Sequence, residues 1–352
     1  MPRSRILIYG ATGYTGKLVA RESARRGLDV VLAGRDAAKL AGVAAEHGFE
    51  TRSVALDDAA GLRTLLADVA AVLHIAGPFS RTSRPMADAC LATGTHYLDV
   101  TGEIDVFEAL ARRDAEAKAA GVVLLPGVGF DVVPSDCLAV HVAGRIEEPT
   151  RLRIALAGLG GGASRGTLKT MAESLGDGLR VRWHGVLVPR PMGSLEHRFD
   201  VGAGPLRAVA MPLADLASAF HSTGIPNIET YVVASGNVPT LLRVAGWLAP
   251  ALRSAPVQRF LARRIDALPE GPDDATREET RALVIAEAEN ASGERAAAML
   301  ETPSGYALTQ VASVEAVRRA AAGLAAPGFQ TPASAFGARF VLECSDSRLT
   351  DL

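Results

Sequence analysis

Residues 6–16 read Ile-Leu-Ile-Tyr-Gly-Ala-Thr-Gly-Tyr-Thr-Gly, an apolar run that ends in a turn carrying Gly10, Gly13 and Gly16. A helix-like segment, Lys17–Arg26, follows. Strand, glycine turn and helix in that order constrain the fold more than any other stretch of the chain. Glycines let the backbone turn tightly and approach a pyrophosphate, whose charge then rests on the free N–H groups of the helix N-terminus. The spacing is GxxGxxG rather than the commoner GxGxxG, and among 35 glycines a lone pattern would weigh little. The strand before it and the helix after it supply the weight. A P-loop is excluded, because Ala11 stands where its first glycine belongs and Leu18 follows Lys17 where Ser or Thr is required.

The next strand candidate, Asp29–Ala33, runs into Gly34-Arg35-Asp36. An acidic residue at this tip bonds the ribose 2′-OH of NAD, whereas an arginine accommodates the 2′-phosphate of NADP. Arg35 fits the second case, against a plain solvated arginine at a strand end. Lys39, one helical turn later, adds to the same anion site. Asp36 is read as the N-cap of a helix starting at Ala37.

Strand and helix patterns alternate as far as residue 125, with further strands expected at Thr51–Ala55, Ala71–Ile75, Tyr97–Val100 and Val122–Leu125. Helices between them end near Gly27, Gly48, Gly94 and Gly121, as C-cap glycines should. The expectation is an α/β fold, a Rossmann-type doubly wound parallel sheet whose ligand crevice lies at the carboxyl ends of the strands. Those ends carry Leu56-Asp57-Asp58, Ala76-Gly77-Pro78-Phe79, Thr101-Gly102-Glu103 and Pro126-Gly-Val-Gly-Phe-Asp131. Asp57 is read as an adenine contact or a solvated turn residue.

The chain has 352 residues, too many for one Rossmann core, so a second domain is expected. A net charge of −2 gives no general attraction to nucleic acid. Cys90, Cys137 and Cys344 are far apart, with no CxxC and no His/Cys cluster, so neither a disulfide framework nor a zinc site is read and a reducing cytoplasm is the default. The N-terminus runs straight into the first strand, which leaves no room for a signal peptide. No apolar stretch reaches the roughly 18 residues of a transmembrane helix.

The middle of the chain changes character. Alternating patterns at Arg151–Ala157, Arg180–Val188, Glu196–Val201, Glu229–Ala234, Ala282–Asn290 and Arg295–Thr302 predict an antiparallel sheet in a second α+β domain. Gly158–Gly162 leads through Ser164 and Thr167 into a helical stretch, Leu168–Leu175, either a second polar-ligand site or a loop with a Ser/Thr cap. Val238–Ile265 interleaves Trp247, Leu248, Phe260 and Leu261 with Arg243, Arg253, Arg259, Arg263 and Arg264. A lid over an apolar substrate, a membrane-surface helix, a homodimer contact and a packed helical excursion all stay open for it. Val314–Gly323 is helical.

Gly10–Gly16, Gly34-Arg35, Gly77-Pro78-Phe79, Tyr97-Leu-Asp-Val-Thr-Gly-Glu103 and Gly129-Phe-Asp-Val-Val-Pro-Ser-Asp136 together resemble the saccharopine dehydrogenase-like oxidoreductases, above all the trans-acting enoyl reductases among them. Gly166-Thr167 and Tyr306-Ala-Leu-Thr309 also fit. The resemblance implies an NADP-binding domain over residues 1–136, an α+β substrate or dimerisation domain over 137–304, and a segment, 305–352, that returns to the first. It places Gly10, Thr12, Gly13, Tyr14, Thr15, Gly16 and Arg35 on the cofactor, Gly77, Pro78, Phe79 and Thr101 near its ribose and nicotinamide, and Asp131 and Ser135 beside nicotinamide and substrate.

The activity expected is reduction of a C=C, C=O or C=N bond in a fairly apolar small molecule, with Lys169, Asp131 and Tyr306 as candidates for proton donor or oxyanion partner. A non-catalytic NADP-binding redox sensor and a saccharopine-type amino-acid dehydrogenase are the alternatives. A short-chain dehydrogenase is discounted, since no tyrosine has a lysine four residues later.

Overall fold

The apolar runs become strands buried on both faces, as parallel strands under helices must be. The structure is a computed structural model and describes residues 3–158, 164–174, 178–202, 204–234, 238–247 and 254–352. The chain divides into two compact units, residues 1–133 with 306–345, and residues 134–305 with 346–352.

In the first unit, β1 (Ile6–Tyr9), α1 (Tyr14–Arg25), β2 (Val30–Gly34), α2 (Ala37–Ala45), β3 (Glu50–Ser53), α3 (Ala59–Leu66) and β4 (Ala71–His74) alternate. They are followed by α4 (Phe79–Thr93), β5 (His96–Asp99), α5 (Ile104–Ala111), α6 (Asp114–Ala120) and β6 (Val123–Leu125). A seventh strand, β15 (Gly328–Phe329), pairs with β6, a two-residue strand between prolines that carries no periodicity to read. The sheet order is β15-β6-β5-β4-β1-β2-β3, parallel throughout. This is the expected doubly wound sheet. Its order reverses between β1 and β4, where Tyr9 pairs with His74, so the crevice opens above those two strand ends. Leu7, Tyr9, Val31, Val72 and Tyr97 form one core under α3 and α4 residues Leu62, Leu66 and Met86. Gly94 and Gly121 end α4 and α6 in the left-handed conformation, as the sequence predicts.

In the second unit the expected antiparallel sheet is mixed. After α7 (Val133–Ala143) come β7 (Pro149–Ala157), α8 (Arg165–Ser174), β8 (Leu179–Trp183), β9 (Val186–Arg190), β10 (Glu196–Asp200) and β11 (Pro205–Ala210). Then follow α9 (Asp215–Thr223), β12 (Asn227–Val233), α10 (Val238–Trp247), a helix over Ala255–Asp266, β13 (Arg281–Asn290) and β14 (Arg295–Pro303). β12 runs parallel to β7: the long connection between them carries α8, α9 and the antiparallel pairs β8–β9 and β10–β11, and brings the chain back in its original direction. The Arg180–Val188 pattern is two strands, folded at His184 and Gly185, both with positive φ, as a two-residue hairpin turn requires. The terminal strand β16 (Arg348–Asp351) pairs with β14 instead of following Tyr306–Ser345 into the first unit. Phe199, Tyr231, Leu179 and Ile285 pack together in this unit. Among the described residues no helix is long and apolar enough to cross a membrane.

Candidate functional site

The three glycines of the turn do different work. Gly10 has φ +95°, and a side chain there would press within 3 Å of the Ile75–Ala76 backbone, so the turn lies directly on the β4 exit. A Cβ on Gly16 would lie 2.4 Å from the Gly10 carbonyl and 2.7 Å from Ala11, so α1 packs hard on the turn. Gly13 is the N-cap of α1, is exposed, and has room: a Cβ there would meet only the Gly10 carbonyl at 3.5 Å. The chain's own packing therefore does not require glycine at position 13. Thr12, Tyr14 and Thr15 are half-buried around it.

The helix N-termini facing the same strand ends are not equivalent. Asp36 accepts from the Lys39 N–H at 3.1 Å and caps α2, as read from the sequence. Asp58 accepts from the Gly61 N–H at 2.8 Å and caps α3. Glu103 reaches across from the end of β5 and accepts from the N–H groups of Phe79 and Ser80, both at 2.7 Å, at the start of α4. α1 has no side-chain cap from its N-cap residue and no acid in its first turn. Its partial positive charge suits an anionic ligand.

Arg35 is exposed at the end of β2, and its carbonyl accepts from the Ser53 hydroxyl at 3.1 Å. Asp57 is exposed beyond β3. Burial raises the Tyr9 hydroxyl, with Arg35 pulling it down and Asp57 pushing it up, so both charges act on one corner of the crevice. Lys39 is exposed and forms an ion pair with Asp36 at 3.4 Å.

Next to this corner, Gly77 is exposed and Phe79 is buried. Pro78 is the N-cap of α4. Thr101 is fully buried; its hydroxyl accepts from the Glu103 N–H at 3.0 Å and its own N–H donates to Asp99. Asp99, buried and pushed up to about 6 by that burial, also accepts from the Tyr97 hydroxyl at 2.5 Å and the Gly127 N–H at 3.0 Å. One carboxylate thus ties the β5 exit to the β6 exit.

The structure adds His74 to these residues. It is wholly buried, with neither ring nitrogen partnered among the described residues, and lies among Tyr9, Phe79 and Tyr97. Burial holds it neutral, down to about 3. Sequence reasoning passes over Asp99, Glu103 and His74; the acidic pair inside Tyr97–Glu103 is the available signal.

Asp131 lies over Gly102, where a Cβ would come within 3.0 Å of its carboxylate. Surrounding protein pushes its pKa up to about 6. The side chain is nonetheless exposed, so water tempers the shift and its upward direction is what matters. Tyr306, at the start of the Gly305–Ala321 helix, meets Tyr14 edge-on at 5.0 Å. The next turn of that helix brings the Thr309 hydroxyl to the Phe130 N–H at 3.0 Å. Asp131 and Tyr306 therefore belong to the unit that carries the glycine turn.

Lys169 does not; it sits on α8 in the second unit, ion-paired to Asp266 at 2.6 Å. Ser135 is buried, also in the second unit. Ser164 caps α8, accepting from the Thr167 N–H at 3.2 Å; residues 159–163 of the glycine run before it, and Leu248 of the Val238–Ile265 segment, lie outside the described residues.

The first unit is a Rossmann fold whose α1 begins at the reversal of strand order. Residues 6–125 match the family model of the saccharopine dehydrogenase NADP binding domain, and this part of the chain is such a domain, with NADP as its cofactor. A Mycobacterium tuberculosis protein with the provisional name of trans-acting enoyl reductase is 34% identical over 189 residues, 48% of this chain and 44% of that protein. The trans-acting enoyl reductase of Mycobacterium leprae is 35% identical over 154 residues, 41% of this chain and 36% of that protein. The chain thus spans less than half the length of these curated relatives.

Among solved structures, saccharopine dehydrogenase (L-Glu forming) from Saccharomyces cerevisiae superposes with a TM-score of 0.66 at 12% identity, covering 99% of this chain and all of that one. Homospermidine synthase from Legionella pneumophila, in complex with NAD, gives 0.62 at 9% identity, covering 99% and 92%. At such identities the likeness is one of fold.

Proposed function

We propose that the protein is an NADPH-dependent reductase of a C=C, C=O or C=N bond in a fairly apolar small molecule, an enoyl C=C bond first among these. The observation that carries the reading is the uncapped α1 N-terminus at the reversal of strand order, beside three helices that hold their own carboxylates. The names of the relatives favour the enoyl bond.

In this reading the Gly10–Gly16 turn, with Thr12, Tyr14 and Thr15, receives the pyrophosphate. Arg35, with Lys39 beside it, holds the 2′-phosphate, and Asp57 borders the adenosine. Gly77, Pro78 and Phe79 present backbone to the ribose and nicotinamide, with Thr101 and Glu103 fixing that loop from below. When bound, NADPH supplies the hydride. Asp131, with its carboxyl raised, holds the proton that completes the reduction, and Tyr306 lines the turn. Lys169, neutralised by Asp266, is left out of the mechanism.

The test is NADPH oxidation by the purified protein with enoyl thioesters, enones, ketones and imines. Turnover of the enoyl or enone class is expected. NADPH binding without turnover of any class would replace the reductase by a redox sensor.

A further inference from the structure

The Ala255–Asp266 helix buries Ile265 and half-buries Val257 and Leu261, a stripe at i, i+4 and i+8. A second stripe, at i, i+1, i+4 and i+5, holds Arg259, Phe260, Arg263 and Arg264, all exposed, with Phe260 62% exposed and Leu268, just past the helix, 44%. Several other arginines are matched: Arg5, Arg52, Arg113 and Arg281 each sit within ion-pair distance of at least two carboxylates. Arg259, Arg263 and Arg264 have no carboxylate in reach among the described residues. The helix's own acid, Asp266, is taken by Lys169. A chain of net charge −2 therefore concentrates three unmatched cations around an exposed phenylalanine.

We propose that this stripe docks on an anionic lipid bilayer. Arginines at headgroup level pair with lipid phosphates while their stems and the Phe260 ring reach the apolar layer beneath. Charge complementarity selects the occupant. A second copy apposed through this stripe sets arginines against arginines. An acidic protein answers the charges but must also supply a socket for Phe260 and Leu268, which a fluid bilayer provides anywhere on its surface.

Co-sedimentation of the full chain with phosphatidylcholine vesicles, with and without phosphatidylglycerol, tests the proposal at low and high salt. Binding is expected only with phosphatidylglycerol and should weaken with salt. Each arginine near an anionic surface is worth about fivefold in partitioning. The triple variant Arg259→Gln, Arg263→Gln, Arg264→Gln should therefore lose roughly a hundredfold in partitioning. Phe260→Ser should lose several-fold with the salt dependence unchanged. Circular dichroism melts of both variants, expected to overlay the parent, show that the fold persists. The idea is overturned if the parent ignores phosphatidylglycerol, or if the triple variant binds undiminished. Preference for soluble polyaspartate over vesicles, or a solution mass that drops in the triple variant, would instead make the stripe a protein interface.

Discussion

The ring of Tyr306 stands edge-on to that of Tyr14, centroids 5.0 Å apart and planes at 86°, so the returning chain rests on the residue that follows Gly13. With Thr309 holding Phe130, one helix start buttresses two loops of the crevice. An edge-to-face pair is worth about 0.5–1.5 kcal/mol. Tyr306→Ala should therefore weaken NADPH binding about two- to tenfold, as calorimetry would read. Tyr306→Phe keeps the ring and should bind NADPH as the parent does. If Tyr306→Phe also lowers kcat, the hydroxyl has a part in the chemistry beyond buttressing.

Cofactor choice should rest on Arg35. Its guanidinium is exposed at the strand tip where a 2′-phosphate would lie. A charge-assisted contact contributes about 1.5–3 kcal/mol, so Arg35→Ala should cut NADPH affinity at least tenfold and leave NADH affinity little changed. Equal affinities for the two cofactors in the parent protein would defeat the assignment.

Two glycines three residues apart should fail in opposite ways. Gly13 has room within the chain, so Gly13→Val should keep its melting temperature and lose NADPH binding, because the added side chain occupies the ligand's approach. Gly16 has none: a Cβ would lie 2.4 Å from the Gly10 carbonyl. Gly16→Ala should cost about 1–3 kcal/mol of stability, in the range of overpacked cores, whether or not cofactor is present. Undiminished NADPH binding by Gly13→Val would mean that the pyrophosphate lies elsewhere.

Much of the first unit is legible in the sequence because its signals are local. The glycine turn, the apolar strands, the C-cap glycines and the Asp36 cap each depend on residues a few positions apart. What is not legible depends on partners brought together by the fold. Glu103 gives no sign in sequence that it caps a helix 24 residues earlier, nor Asp99 that it bonds Gly127. The parallel pairing of β12 with β7 is likewise a product of the connection between them, since alternation reports a half-buried strand and not its direction. Lys169 follows a glycine run in sequence, but its ion-pair partner Asp266 lies 97 positions away and leaves no local sign.

The pH dependence of the reaction should identify the proton source. The Asp131 carboxyl is raised above its ordinary value, toward about 6, so it carries its proton at low pH and loses it as pH rises. If Asp131 donates, kcat/KM is full on the acid side and falls about tenfold per pH unit above the midpoint. Water reaches this side chain, so the midpoint belongs between the ordinary carboxylate value and about 6. Asp131→Asn should abolish that limb and lower kcat, while NADPH affinity stays within a factor of about two, since the residue takes no part in holding phosphate. Asp99 is the other carboxyl pushed up to about 6, but it is fully buried beneath Thr101 and Gly127. In Asp99→Asn the limb should therefore keep its midpoint even if the β5 exit loosens and kcat drops. A midpoint that vanishes in Asp99→Asn and survives in Asp131→Asn would move the titrating group from the crevice wall to its foundation.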